Sequence, residues 1–204
     1  MKKVKEMENK YTAFNGSIQI ASGTIRVVAE AAKLLIDGGE SITILIFNDT
    51  TGVQIDLDFS GTLTDVFSRL KQQFELNQDL PESRSQDKNK AKPGRPKLGV
   101  VSKEVTLLPR HWEWLAGQPG GASVTLRKLV EQAKRTNQGE DKIRRSREAT
   151  FKFINAIAGN LPGFEEAVRA LFAGDVERFS QQIGSWPKSI QEYSQKLSAD
   201  AFGK

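Results

Sequence analysis

Tyr11-Thr-Ala-Phe-Asn-Gly-Ser-Ile-Gln-Ile20 is the stretch that decides the fold class of this chain. Two β-prone runs, Tyr11–Phe14 and Ser17–Ile20, flank Asn15-Gly16, a dipeptide suited to the left-handed backbone of a two-residue hairpin turn. A helix follows, capped by Ser22 or Thr24, with Val27, Val28, Ala31, Leu34 and Leu35 at helical spacing. Asp37-Gly38-Gly39 stops it. Ile42–Phe47, the turn Asn48–Gly52 and Val53–Phe59 read as a second hairpin. Leu63, Val66, Phe67 and Leu70 then stripe a second helix from about 62 to 74. The order ββαββα makes residues 11–75 a small α+β unit.

Outward from that unit the pattern changes. Residues 76–99 lose periodicity and bury nothing, which predicts a disordered basic linker. Residues 100–136 read as a strand-helix-helix block: a strand at about 100–108, then helices at 109–117 and 123–136 around Gln118-Pro-Gly-Gly121. Thr136–Lys142 reads as a second linker. Residues 143–200 read as a C-terminal helical unit, its apolar stripes broken at Gly159-Asn160, Gly174-Asp175 and Trp186-Pro187. Short turns between short helices predict an antiparallel bundle.

Composition sets bounds. Of 204 residues, 38% are apolar and 27% charged, enough for a core but not along the whole length. The absence of cysteine excludes disulfides, thiolate catalysis and cysteine-ligated zinc. No apolar run follows the basic N-terminus, so no signal peptide is expected. The longest apolar run, Ile42–Phe47, is too short to span a bilayer. A cytoplasmic protein without a membrane partner is the expectation.

Charge is distributed unevenly. Residues 84–147 carry 16 Lys/Arg against 6 Asp/Glu, whereas residues 1–83 carry 8 against 12 and residues 148–204 carry 6 against 7. The positive excess thus lies wholly in the middle, as expected of a polyanion-binding segment or of a solvated basic surface. At its heart is Lys92-Pro-Gly-Arg-Pro-Lys97. Proline on both sides of Gly94-Arg95 keeps the backbone extended, glycine lets it lie flat on a groove floor, and arginine reaches into a narrow A·T-rich minor groove. In that reading Gly94, Arg95 and Pro96 form the clamp, while Lys90, Lys92 and Lys97 contact phosphates. The motif resembles an AT-hook in which Pro93 replaces the first arginine, removing one groove contact. The same residues also make a proline-stiffened tether.

The block behind the clamp is similar in order and length to a ribbon-helix-helix module, whose paired strands enter the major groove as a dimer. Val105 and Leu107 would face a core, with Ser102, Glu104 and Thr106 on the groove face. Trp112, Leu115, Leu126, Leu129, Val130 and Ala133 would pack from the helices. Ser123 would cap the second helix, leaving its first N–H groups for a phosphate. The DNA-contacting residues expected here are Lys103, Thr106, Arg110, Ser123, Arg127 and Lys128. Glu104 opposes the reading, since a carboxylate repels phosphates.

Gly94–Leu115, together with Gln118-Pro-Gly-Gly-Ala-Ser123, Leu161-Pro-Gly-Phe-Glu-Glu166 and Ala170-Leu-Phe-Ala-Gly-Asp175, resembles an uncharacterised bacterial family, domain of unknown function 2239. The resemblance covers about residues 11–199. It implies a bacterial source and carries no activity with it.

Catalytic constellations are sparse. His111 is the sole histidine, so a multi-histidine metal site cannot form within one chain, and no Ser/His/Asp triad is read around it. Asp56 and Asp58 alternate with Ile55, Leu57 and Phe59, which places both carboxylates on one strand face about 7 Å apart. With Asp49 they are candidates for a cation site or an acid/base pair, or form a plain solvated face. No catalytic residue, cofactor or metal is assigned. The expectation is a non-enzymatic, DNA-binding bacterial protein, a regulator or nucleoid-associated factor, able to form a homodimer. The alternative is an adaptor whose basic segment is only a tether. A further possibility is that the acidic N-terminal unit masks the basic middle.

Overall fold

The computed structural model describes residues 10–39, 43–78 and 103–203. Among these the chain forms four strands and eight helices, an α+β architecture. It divides into two compact units, residues 1–79 with 139–204, and residues 80–138.

The first unit is organised by a sheet of order β2-β1-β3-β4, antiparallel throughout: β1 Tyr11–Asn15, β2 Ile18–Gly23, β3 Ile44–Asn48 and β4 Gln54–Ile55. The first hairpin turn falls one residue later than expected, because Asn15 pairs with Ile18 and leaves Gly16-Ser17 as the loop. Gly16 takes the first loop position with a φ of 56°, where both favoured hairpin turns need positive φ. β4 is two residues long and not the expected seven. The alternation survives without it, since Leu57 and Phe59 are half-buried in the cores beneath while Asp56 and Asp58 face solvent.

Helix α1 (Ile25–Asp37) is capped by Thr24, whose hydroxyl accepts from the Val27 N–H. Helix α2 (Leu63–Gln78) starts with a capping box: the N–H of Thr62 donates to Asp65, and the N–H of Asp65 donates back to the Thr62 hydroxyl. Hydrogen bonds from Thr62, side chain first and backbone second, hold the Asp65 carboxyl below its ordinary value. Val28 packs on Tyr11, Ala13 and Ile46, and Ala29 packs with Val66 and Leu70, so α1 covers one sheet face and α2 packs beside it.

The other face of the same strands is covered by the C-terminal helices. These are α5 (Gln138–Ile157), α6 (Phe164–Ala173), α7 (Val176–Ile183) and α8 (Lys188–Leu197), followed by a 3-10 turn, Ser198–Asp200. Phe14 and Phe47 enter one core with Phe153, Ile154, Leu171, Phe179, Ile190 and Tyr193. Ring centroids lie 4.9 Å apart for Phe47–Phe153 and 4.6 Å for Phe153–Tyr193, with near-perpendicular planes that favour edge-to-face attraction. Residues 11–75 and 143–200, expected as separate units, are therefore one. The signal is visible in Ile44-Leu-Ile-Phe47: a strand apolar at every position is covered on both faces.

Helices α6, α7 and α8 follow the breaks read from the sequence, and Asp175 caps α7 through the Arg178 N–H. The expected linker over 136–142 is not one. Helix α4 (Gly121–Thr136) runs to Thr136, and α5 begins after Asn137. Glu140 and Asp141 in the first turn of α5 complement its N-terminal dipole, which is why a polar stretch is helical there.

Candidate nucleic-acid interface

The residues expected to contact DNA fall into two groups. Lys90, Lys92, Gly94, Arg95, Pro96 and Lys97 lie outside the described residues, as does Ser102. Lys103, Thr106, Arg110, Ser123, Arg127 and Lys128 belong to the second compact unit and are all exposed.

Residues 103–108 form no strand. Val105 and Leu107 have the right alternation, but a strand is held by its ladder, and β-propensity without a paired neighbour does not make one. Among the described residues the ribbon-helix-helix likeness is thus reduced to its two helices. Helix α3 (Pro109–Ala116) starts with proline at the position that lacks an N–H partner, and His111 is exposed in its first turn. Gly120 and Gly121 both have positive φ, 88° and 72°, a backbone path that only glycine follows freely. They make Gly120 the N-cap of α4, so Ser123 is the third helical residue and caps nothing. Its carbonyl instead accepts from Arg127 Nε at 3.0 Å.

What α3 and α4 do present is charge. Arg110, Arg127, Lys128, Lys134 and Arg135 are exposed and form no ion pair among the described residues. Lys134 and Arg135 also stabilise the C-terminal end of α4 through its dipole. The basic residues that begin α5 are committed elsewhere. Lys142 pairs with Asp200 at 2.7 Å and Arg144 with Asp141 at 2.7 Å, while Arg147 donates to the carbonyls of Ala201 and Phe172. Among the described residues the basic run is therefore two populations, one available on α3 and α4 and one spent on holding α5.

Among its described residues the second unit is also short of a core. Leu115 is buried, whereas none of the α4 residues is. Val105, Leu108, Trp112, Trp114, Leu129 and Val130 are 55%, 50%, 41%, 53%, 42% and 60% exposed.

The carboxylates do not gather into a catalytic or metal site. Asp56 accepts from Gln54 Nε2, and Asp58 accepts from the Ser60 N–H and pairs with Arg69 at 3.2 Å. Hydrogen bonds from Ser60, side chain before backbone, hold Asp58 below the usual carboxylate value, with Arg69 adding to them. Asp49 instead closes the sheet against α8. Its Oδ1 accepts from the hydroxyls of Thr12 (2.7 Å) and Tyr193 (2.8 Å), and its Oδ2 pairs with Lys196 Nζ at 2.6 Å. Burial first, and the Asp49 charge second, push the Tyr193 hydroxyl far above its ordinary value, so it stays protonated and donates. Nothing local in the sequence marks this cluster, which joins positions 144 residues apart. Among the described residues no group of three or more His, Asp or Glu side chains is placed to hold a metal, and no helix is long and apolar enough to cross a membrane.

The model of a family described as "Uncharacterized protein conserved in bacteria (DUF2239)" matches residues 10–198. Among curated proteins and among solved structures, nothing matches the chain.

Proposed function

We propose that this chain, which belongs to that uncharacterised bacterial family, is a duplex-DNA-binding protein acting through its basic middle segment. The observation that carries the reading is the position of the positive charge: the whole excess lies in residues 84–147, and its α4 members are exposed and form no ion pair among the described residues. Arg127, Lys128, Lys134 and Arg135 neutralise phosphates and release counterions, a sequence-independent term. Arg95, between prolines, adds minor-groove contact and an A·T preference. The unit built on the sheet is the body that carries this segment, and its polar clusters serve packing.

A mobility shift with A·T-rich and G·C-rich duplexes tests this. Wild type binds both, prefers A·T, and loses affinity steeply between roughly 50 and 200 mM salt. Arg95→Ala removes the preference. Failure to bind either duplex at low salt overturns the reading. The competing reading is an adaptor that engages another protein, favoured by the exposed Trp112, Trp114, Leu129 and Val130. Binding of a protein partner that survives high salt, without DNA binding, would establish it.

A further inference from the structure

We infer that α4 enters the major groove of duplex DNA by its basic face, and that Glu131, at the centre of that face, reads a base pair by accepting from a cytosine amino group. This rests on the proposed DNA-binding function and adds to it a residue that distinguishes sequences. Helical periodicity sets five charged side chains in a definite pattern. At about 100° per residue, Arg127 and Lys134 fall within about 20° of each other along one edge of the helix. Lys128 and Arg135 do the same along a second edge, about 100° away. Glu131 lies between the two rows, about 50° from each. All five side chains are exposed, and none forms an ion pair among the described residues. Arg127 gives one N–H to the Ser123 carbonyl, and a guanidinium has further donors for a phosphate. The half-buried Ala122 and Leu126 lie on the opposite side of the helix, so packing against them does not reach this face.

An acid in the middle of four cations decides between two ways of meeting DNA. Along a single sugar-phosphate strand, Glu131 would be held against phosphates by its own neighbours, and like charges would oppose binding. In the major groove the same pattern is favourable. The groove is about 12 Å wide and a helix with its side chains about 10–12 Å across, so insertion with Glu131 foremost turns one cationic row to each phosphate wall. Each row spans about 10 Å, the rise of about three base pairs. The carboxylate then points at the groove floor. There cytosine N4 donates to it, whereas guanine N7 and O6 and thymine O4 present acceptors that repel it. Adenine pairs its N6 donor with the N7 acceptor, an edge that suits the amide of Gln or Asn better than a carboxylate.

Selection of bound duplexes from a pool with a randomised central segment, using the full-length chain, tests this. Wild type is expected to enrich cytosine at one position on the order of tenfold. Glu131→Ala is expected to abolish that preference, and Glu131→Gln to replace it with adenine. Both variants should keep the wild-type far-ultraviolet dichroism, since the side chain is exposed and unpaired among the described residues. The inference is overturned if wild type binds the pool without a cytosine position, or if Glu131→Ala retains one. It is equally overturned if Glu131→Gln strengthens binding to every sequence alike, which would put α4 on the phosphate backbone. Those results leave the DNA-binding function standing. A wild-type chain that retains no duplex at roughly 50 mM salt overturns that function and this inference together.

Discussion

Replacing Asp49 by alanine removes the acceptor at which the two halves of the first unit are joined. Tyr193 is 2% exposed, so its hydroxyl finds no water when Asp49 is lost, and an unsatisfied buried donor costs about 1–3 kcal/mol. Thr12 loses less, because Ser22 Oγ lies 3.1 Å away as a second partner. Lys196 is half-exposed, and an ion pair of that kind contributes about 0–1 kcal/mol. Together these predict a destabilisation of about 3 kcal/mol, a fall in Tm of roughly 6–12 °C for a unit of this size. Urea denaturation of the full chain, followed by dichroism, measures it. Tyr193→Phe alone should cost about 1 kcal/mol, yet be nearly neutral in the Asp49→Ala background, where it deletes an orphaned hydroxyl. The cycle of the two substitutions should therefore show a coupling of about 1–2 kcal/mol. A loss below ~1 kcal/mol for Asp49→Ala, or additivity of the pair, refutes the claim that Asp49 clasps the sheet to α8.

Gly52 has a φ of 64°, and a Cβ built there lies 1.9 Å from the Ala149 carbonyl oxygen. Gly52→Ala should cost at least ~3 kcal/mol, whereas Gly16→Ala, with open space around it, should cost about 1 kcal/mol; equal losses in denaturation would contradict the packing of α5 on this turn. The raised Tyr193 pKa makes a pH prediction. The unfolded chain releases this proton near 10.0 while the folded chain retains it, so its contribution is intact below pH 10 and is lost as pH rises further, by about 1.4 kcal/mol per pH unit. Melting profiles from pH 8 to 11.5 should fall more steeply for wild type than for Tyr193→Phe. For DNA, Arg127→Ala/Lys128→Ala should reduce the slope of log K against log salt by nearly 2, measured by fluorescence anisotropy; an unchanged slope would remove α4 from the interface.

Much of the secondary structure was legible. Helices α1, α6, α7 and α8 follow apolar stripes bounded by glycine, proline or a capping side chain, and those signals act within a few residues. Where local signals conflict, neighbours decided. Asn15-Gly16 is a good turn dipeptide, but pairing of Asn15 with Ile18 moved the loop to Gly16-Ser17. Residues 103–108 have strand-like alternation, yet among the described residues no strand pairs with them. Thr136–Lys142 is polar enough for a linker, yet its acidic residues suit a helix start. For the proposed DNA contacts, the sequence shows which residues are basic. The structure separates Arg127 and Lys128, exposed on α4, from Arg147, whose guanidinium is spent on two backbone carbonyls.

The sequence by itself determined the α+β class, the positions of most helices and the concentration of positive charge in the middle segment. Each of these depends on residue type and near-neighbour spacing. Only the tertiary structure decided that Phe14 and Phe47 share a core with Phe153 and Tyr193, and that Asp49 is a clasp and not part of a carboxylate site. Those contacts join residues more than a hundred positions apart. An apolar face announces that it will be buried, but burial is non-directional, so the identity of the covering surface follows from how all the faces fit at once.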